Sequence, residues 1–266
     1  MSTLHDLMNL VAVEEDSFRA TGHGPTGKRA FGGQFLGQSM AAAGRTVPAG
    51  VWPTSLHLQF LRGGDSGAAV DYAVERLYDG RTAMTRRVLA RQDGRLITAA
   101  TVSFAAPLPG PSHGERGGLP DDPASLEPTG PAGPAPGLPL DELDIRIADS
   151  GEGVDFVRRM YWRTTVPVAD DALLHTCLAL FVTDVYLIDP VLRVHGHSMS
   201  DRSHRSGTTD ASIWFHRPVH ADEWNLLESR SPAAARGRGV VTAQLISRDG
   251  SVYATAVHEG MAVVRE

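Results

Sequence analysis

The chain has 266 residues, a formal net charge of −6 and a pI near 6.0, with 42% hydrophobic and 21% charged residues. This acidic balance gives no electrostatic reason to bind nucleic acid or an anionic membrane surface. No apolar run of about 18 residues exists to cross a bilayer, and a single cysteine, Cys177, excludes an intrachain disulfide. Met1 to Leu10 carries Asp6 and no Lys or Arg, so it does not read as a signal peptide, and a cytoplasmic location is expected.

In chain order, the first predicted element is a helix from Phe31 to Val47. Phe31, Phe35, Leu36 and Met40 recur at helical spacing, Gly32-Gly33 open the segment and Pro48 closes it. Alternating and β-branched residues then predict strands at Ser55–Leu61, Val70–Leu77, Thr82–Arg91 and Leu96–Phe104. Ten of the 17 prolines fall between Pro107 and Pro139, interleaved with glycine. Fixed φ angles and missing donors exclude helix and central strand there, so the stretch reads as a semi-extended linker. Next, Asp170 or Asp171 can cap a helix through about Ile188, apolar nearly all round and therefore buried. The polar Val194–Thr209 segment reads as a flexible surface loop. Its His195-Gly196-His197, Asp201 and His204 have ligand-like spacing, but no metal site is expected without rigid geometry. Strands follow at Ala211–Arg217, Trp224–Ser229, Gly239–Arg248 and Val252–Val264.

The two halves echo each other. Asp93-Gly94 and Asp249-Gly250 are hairpin-turn signals 156 residues apart (249 − 93). Leu58-Gln59-Phe60-Leu61-Arg62 is answered by Ile213-Trp214-Phe215-His216-Arg217 at an offset of 155 (215 − 60). A buried helix followed by antiparallel strands, twice over, predicts an α+β unit in duplicate, with a sheet wrapping each helix. Placed edge to edge, two such units share one long sheet. The boundaries are residues 1–106 for the first unit, 107–140 for the linker and 141–266 for the second.

Phe31-Gly32-Gly33-Gln34-Phe35-Leu36-Gly37-Gln38 and Ser55-Leu56-His57-Leu58-Gln59-Phe60-Leu61-Arg62-Gly63-Gly64-Asp65 resemble the first half of the type II acyl-CoA thioesterases. Asp210-Ala211-Ser212-Ile213-Trp214-Phe215-His216-Arg217-Pro218, Glu223-Trp224, Ala235-Arg236-Gly237 and Val257-His258-Glu259-Gly260 resemble the second. The resemblance implies a double hotdog, water-mediated hydrolysis of acyl-CoA thioesters and a homo-oligomer. No cofactor is expected. The family's Asp, Thr or Ser, and Gln around one water fall on Asp210, Ser231 and His258, with His in place of Gln.

Thioester hydrolysis needs a held water, a proton acceptor and donors for the oxyanion. An imidazole at position 258 can itself be a general base, with Asp210 fixing its tautomer, or it can stand in for Gln as a neutral donor. For the substrate, Gly32, Gly33 and Gln34 at a helix start and the guanidinium groups of Arg62 and Arg236 are the candidates. The structural alternative for Gly32-Gly33 is close helix packing. Cys177, mid-helix on a buried face, reads as inert, and no Gly-x-Ser-x-Gly elbow occurs. Two other functions fit the same residues: an enoyl-CoA hydratase or dehydratase using an Asp210–His258 pair, although the lyase Gly-Asp-x-Asn-Pro-x-His pattern is absent, and a catalytically silent acyl-CoA-binding protein.

Overall fold

A computed structural model describes residues 3–129 and 139–265. Its strands are β1 Val11–Glu14, β2 Ser17–Ala20, β3 Trp52–Phe60, β4 Val70–Asp79, β5 Ala83–Gln92, β6 Arg95–Ala105, β7 Leu143–Ile147, β8 Arg158–Thr164, β9 His204–Phe215, β10 Asn225–Ala235, β11 Arg238–Ser247 and β12 Val252–Val264. All join one antiparallel sheet in the order β1-β2-β4-β5-β6-β3-β9-β12-β11-β10-β8-β7. The helices are α1 Thr3–Met8, α2 Gly32–Gly44, α3 Ala172–Thr183 and α4 Asp189–Arg193.

The strand order is the same read from either end about the β3–β9 seam, and this is the expected double hotdog. At the seam His57 lies directly opposite Ser212, its own counterpart at the 155-residue offset. A two-fold relating the copies passes through such a pair. The seam leaves neither copy with an open inner edge.

Side-chain alternation sets the inner and outer faces of the sheet. Leu56 and Leu58 on β3 and Ala211 and Ile213 on β9 are buried beneath it, while His57, Gln59 and Ser212 point outward. Under the sheet α2 and α3 run antiparallel in close contact. A Cβ on Gly33 would lie 2.2 Å from the Phe181 carbonyl oxygen, and one on Gly37 2.8 Å from that of Cys177. Glycine at these turns therefore sets the helix separation. Asp171 caps α3 by accepting from the Leu173 and Leu174 N–H groups at 2.9 and 3.3 Å.

The two Asp-Gly turns differ. Asp93 and Gly94 both have positive φ, 47° and 76°, the two-residue type I′ geometry expected. At the second turn only Gly250 is positive, and the loop is wider: Ser247 N–H bonds to the Ser251 carbonyl while the Ser247 hydroxyl bonds to Asp249. The helix expected through Ile188 stops at Thr183, and the chain turns at Tyr186 with φ 56° before α4 begins at Asp189 with Pro190 in its first turn. The end of the Val194–Thr209 loop, from His204 on, is the start of β9, and the rest is tied down where Met199 N–H donates to Asp189, itself paired with buried Arg158. Strands β1, β2, β7 and β8 and helix α1 add to the elements read from the sequence.

The proline-rich segment lies along the second copy. Arg116 N–H bonds to the Gly250 carbonyl, Val252 N–H to the Gly114 carbonyl, and the Tyr161 hydroxyl donates to Asp121 at 2.7 Å. Residues 130–138 of the expected linker lie outside the described residues.

Candidate active site

A helix start leaves its first N–H groups without intrahelical partners, and a side chain at the N-cap normally takes one. At α2 the N-cap is Phe31, which offers none. The partner comes from the other copy. Asp184, the residue closing α3, faces the Gly32 and Gly33 N–H groups, which favour its anion, and its Oδ1 accepts the Thr208 hydroxyl of β9 at 2.6 Å. Only glycine leaves room for this: a Cβ on Gly32 would lie 2.5 Å from Asp184 Oδ2.

The Asp184 carboxylate faces a cavity of about 180 Å³ formed by both copies. Phe31, Phe35, Phe60, Ile188 and Met199 give it apolar walls, and Arg29 and Arg62 lie at its polar side. Burial drives the Asp184 carboxyl pKa up to about 6, outweighing the bonds from Thr208, Gly33 and Gly32 and the charge of Arg29, which favour the ionised form.

His258 sits on the inner face of β12, 1% exposed, paired in register with Ala211. Gly260, the next inner position, pairs with Thr208, so His258 and Thr208 are neighbours on the floor over the helices. Both ring nitrogens of His258 are buried without a hydrogen-bond partner. Burial pushes its pKa down to about 3, which keeps the imidazole neutral near pH 7.

Asp210 lies on the other face. It pairs with Glu259 rather than His258, next to a bulge at Glu259/Gly260, and lines an outer groove of about 560 Å³ with His57, Gln59, Arg87, Thr101 and Ser212. Burial raises its pKa and the Glu259 charge adds to this, against the Glu259 N–H bond and Arg238. The expected Asp210–His258 hydrogen bond is therefore not made: adjacent register positions point to opposite faces of a sheet. Ser231 does not join either residue through its hydroxyl, which donates to the Val240 carbonyl at 2.9 Å beside the β10 bulge.

Of the substrate candidates, Gly32 and Arg62 line the cavity at the start of α2. Gly33 contributes its N–H to Asp184 and its missing side chain to the α2–α3 contact, so both readings of the glycine pair apply. Gln34 does not reach the cavity: its amide turns to Gln38, which in turn bonds the Tyr72 hydroxyl and the Leu7 carbonyl. Arg236 sits in the β10–β11 turn at φ 55°, beside a separate hollow lined by Val191 and His195. Asp184 and Thr208 were not read from the sequence. An Asp where an apolar helix stops was the available signal.

Among the described residues, His175, His220 and Asp222 place ligand atoms within 4.8 Å of one another. His175 Nδ1 accepts the Ala221 N–H at 2.9 Å, which leaves the proton of the neutral ring on Nε2 and no free lone pair for a metal.

Residues 20–105 match the family model of the acyl-CoA thioesterase N-terminal domain and residues 120–262 that of the C-terminal domain. The chain is similar to acyl-coenzyme A thioesterase 8 of Homo sapiens, 28% identical over 97% of this chain and 88% of that protein. It is 27% identical to acyl-CoA thioesterase 2 of Haemophilus influenzae over 98% of this chain and 97% of the relative. Among solved structures, an acyl-CoA thioesterase II, TesB2, from Mycobacterium marinum superposes with a TM-score of 0.85 at 28% identity, covering 99% of this chain and 98% of the other.

Proposed function

Since this chain belongs to the acyl-CoA thioesterase family, we propose that it hydrolyses acyl-CoA thioesters to the free acid and CoA. The observation that carries this reading is the cavity at the start of α2, where residues of both copies surround a carboxylate, a hydroxyl and a pair of glycine N–H groups. Phe31, Phe35, Phe60, Ile188 and Met199 offer an apolar lining for an acyl chain, and Arg29 and Arg62 offer cationic groups for the CoA phosphates.

A thioester carbonyl in this cavity meets the positive end of the α2 dipole, which favours the negative charge that develops on its oxygen. His258, held neutral by burial and with both ring nitrogens unpartnered, takes the role the family gives to Gln as a hydrogen-bonding group for water, not that of a base with an ordinary histidine pKa; it lies on the inner face of the sheet, outside the lining of this cavity. The resemblance assigns Asp210 and Ser231 to the same water. Asp210 is on the outer face and Ser231 is engaged by Val240, so these two assignments call for direct substitution. A homo-oligomer and a cytoplasmic location belong to the same proposal, and sedimentation velocity tests the first.

The function is tested by mixing the protein with saturated acyl-CoAs of several lengths and an enoyl-CoA. Free thiol release with any acyl chain is the expected result. Loss of enoyl absorbance without thiol release identifies a lyase instead, and saturable binding with neither signal identifies an acyl-CoA-binding protein.

A further inference from the structure

The connection from helix to strand differs between the copies. Residues 45–51 lead from α2 into β3, whereas residues 184–203 lead from α3 into β9. The added length carries α4 and supplies Ile188 and Met199 to the wall of the cavity at the start of α2. We propose that Met199 gauges the length of the acyl chain and that Asp189 is the positioning residue that holds it there, an inference that rests on the thioesterase reading and names what selects its substrates.

Asp189 is 3% exposed, and both of its carboxylate oxygens are engaged. Oδ1 accepts the Met199 N–H at 2.6 Å, and Oδ2 pairs with a terminal guanidinium nitrogen of Arg158 at 2.8 Å. Arg158 is itself buried, on β8. Its Nε and the same terminal nitrogen bind the two oxygens of Asp149 at 2.7 and 2.8 Å, and the rings of Phe156 and Tyr186 lie against the guanidinium. The grip therefore runs from β8, through a buried ion pair, to the backbone of a residue in the cavity wall.

Burying two charges is costly, and apolar side chains of similar volume often serve stability as well. What a forked and stacked arginine adds is one fixed geometry. Here it is delivered to Met199. A methionine side chain is adaptable, so its reach depends on where its backbone is held. The same turn is fixed on its other side: Ile188, the residue before Asp189, nests over Gly260, where a Cβ would lie 2.3 Å from Ile188 Cδ1. Tyr186 takes φ 56° in this turn, a conformation that persists only where its surroundings impose it. The cavity is about 180 Å³, below the roughly 300–1,000 Å³ of pockets that engulf drug-sized ligands. In so small a space each methylene that the wall admits or refuses is worth about 10–200-fold in kcat/KM.

The test is kcat and KM for thiol release across straight-chain saturated acyl-CoAs of increasing length, with melting temperature and affinity for the matching non-hydrolysable thioethers measured alongside. Met199→Ala enlarges the cavity and should raise the ratio of kcat/KM for the longest to the shortest chains at least about 10-fold, chiefly through KM. Asp189→Ala frees the Met199 N–H and should move the ratio the same way. In the Met199→Ala background it should add little, as expected of two residues acting through one wall. Arg158→Lys keeps a cation beside Asp189 and should shift the ratio less than Arg158→Met. A purely structural role would lower the melting temperature and leave the ratio alone. An unchanged ratio in Met199→Ala overturns the gauge, and an unchanged ratio in folded Asp189→Ala overturns the positioning role. If Asp189→Ala fails to fold, the Arg158 pair decides, and equal ratios in the two overturn that role. Each of these results leaves the thioesterase reading standing. Absence of thiol release from the wild type at every length sinks that reading and the proposal with it.

Discussion

The starts of α2 and α3 occupy equivalent places in the two copies and are built in opposite ways. α3 is self-sufficient: Asp171, its own N-cap, takes the Leu173 and Leu174 N–H groups. α1, whose Leu4 and Leu7 are fully buried, packs beside that end, where His5, Asp6, Asp171, Leu173 and Arg45 border a hollow of about 270 Å³, and Arg45 at the end of α2 is tied to the Leu10 carbonyl and to Asn9. α2 has no cap of its own and borrows Asp184 from the far end of α3, at the mouth of a cavity with two arginines. Duplication thus leaves one helix start capped by its own residue, the closed end, and one that depends on the other copy, the open end beside the cavity with two arginines.

Substitutions sharpen the contrast in order of size. Leu7→Ala strips the cover from the closed end and should cost about 2–5 kcal/mol, read as a fall in the denaturant midpoint with thiol release per folded molecule unchanged. Gly33→Ala forces a methyl onto the Phe181 carbonyl at the open end and should cost roughly 1–3 kcal/mol, accompanied by loss of turnover because α2 must shift. Asp171→Ala removes the self-made cap for about 1 kcal/mol, again without effect on turnover. If Gly33→Ala leaves kcat intact, the open end is not where the chemistry occurs.

A fourth prediction concerns pH and stability. Asp184 has a folded pKa near 6, above its ordinary value of 3.8, so between these the folded state holds more protons than the unfolded state. Its contribution therefore makes the protein less stable as pH rises through about 4 to 6. In Asp184→Asn that slope should disappear from a series of chemical melts across the interval. A slope equal to the wild type's would show that the carboxyl is not protonated by folding.

Features governed by local chemistry were the ones readable from the sequence. The Asp93-Gly94 turn, the Asp171 cap and the strands between them announce themselves within a few residues. The echo of residues 58–62 in 213–217 revealed the duplication, and the structure sets the strands that carry the two stretches, β3 and β9, side by side at the seam. The site was less legible because it depends on register and on distant packing. A bulge opposite Glu259 and simple alternation put Asp210 on the face away from His258, and no motif spacing reports a bulge. Asp184 is separated from Gly32 by more than half the chain and meets it only because α2 and α3 pack antiparallel. The apolar run Val185 to Ile188 concealed the place where α3 ends.

One feature of the core has a thermodynamic consequence. Most buried apolar residues of both copies form one continuous cluster, from Leu4 and Phe35 through Phe181 to Ala256, beside a small second cluster of Tyr161, Leu226, Ile246 and Val252, and the α2–α3 contact and the β3–β9 seam both run through the larger one. Neither repeat keeps a complete interior when the other opens. Heating should therefore give one calorimetric transition, its van't Hoff and calorimetric enthalpies equal, despite a sequence that reads as two copies. Two such units associating as separate chains would melt with a concentration dependence. Fusion makes the pairing of the two copies intramolecular, so that this contact no longer depends on dilution.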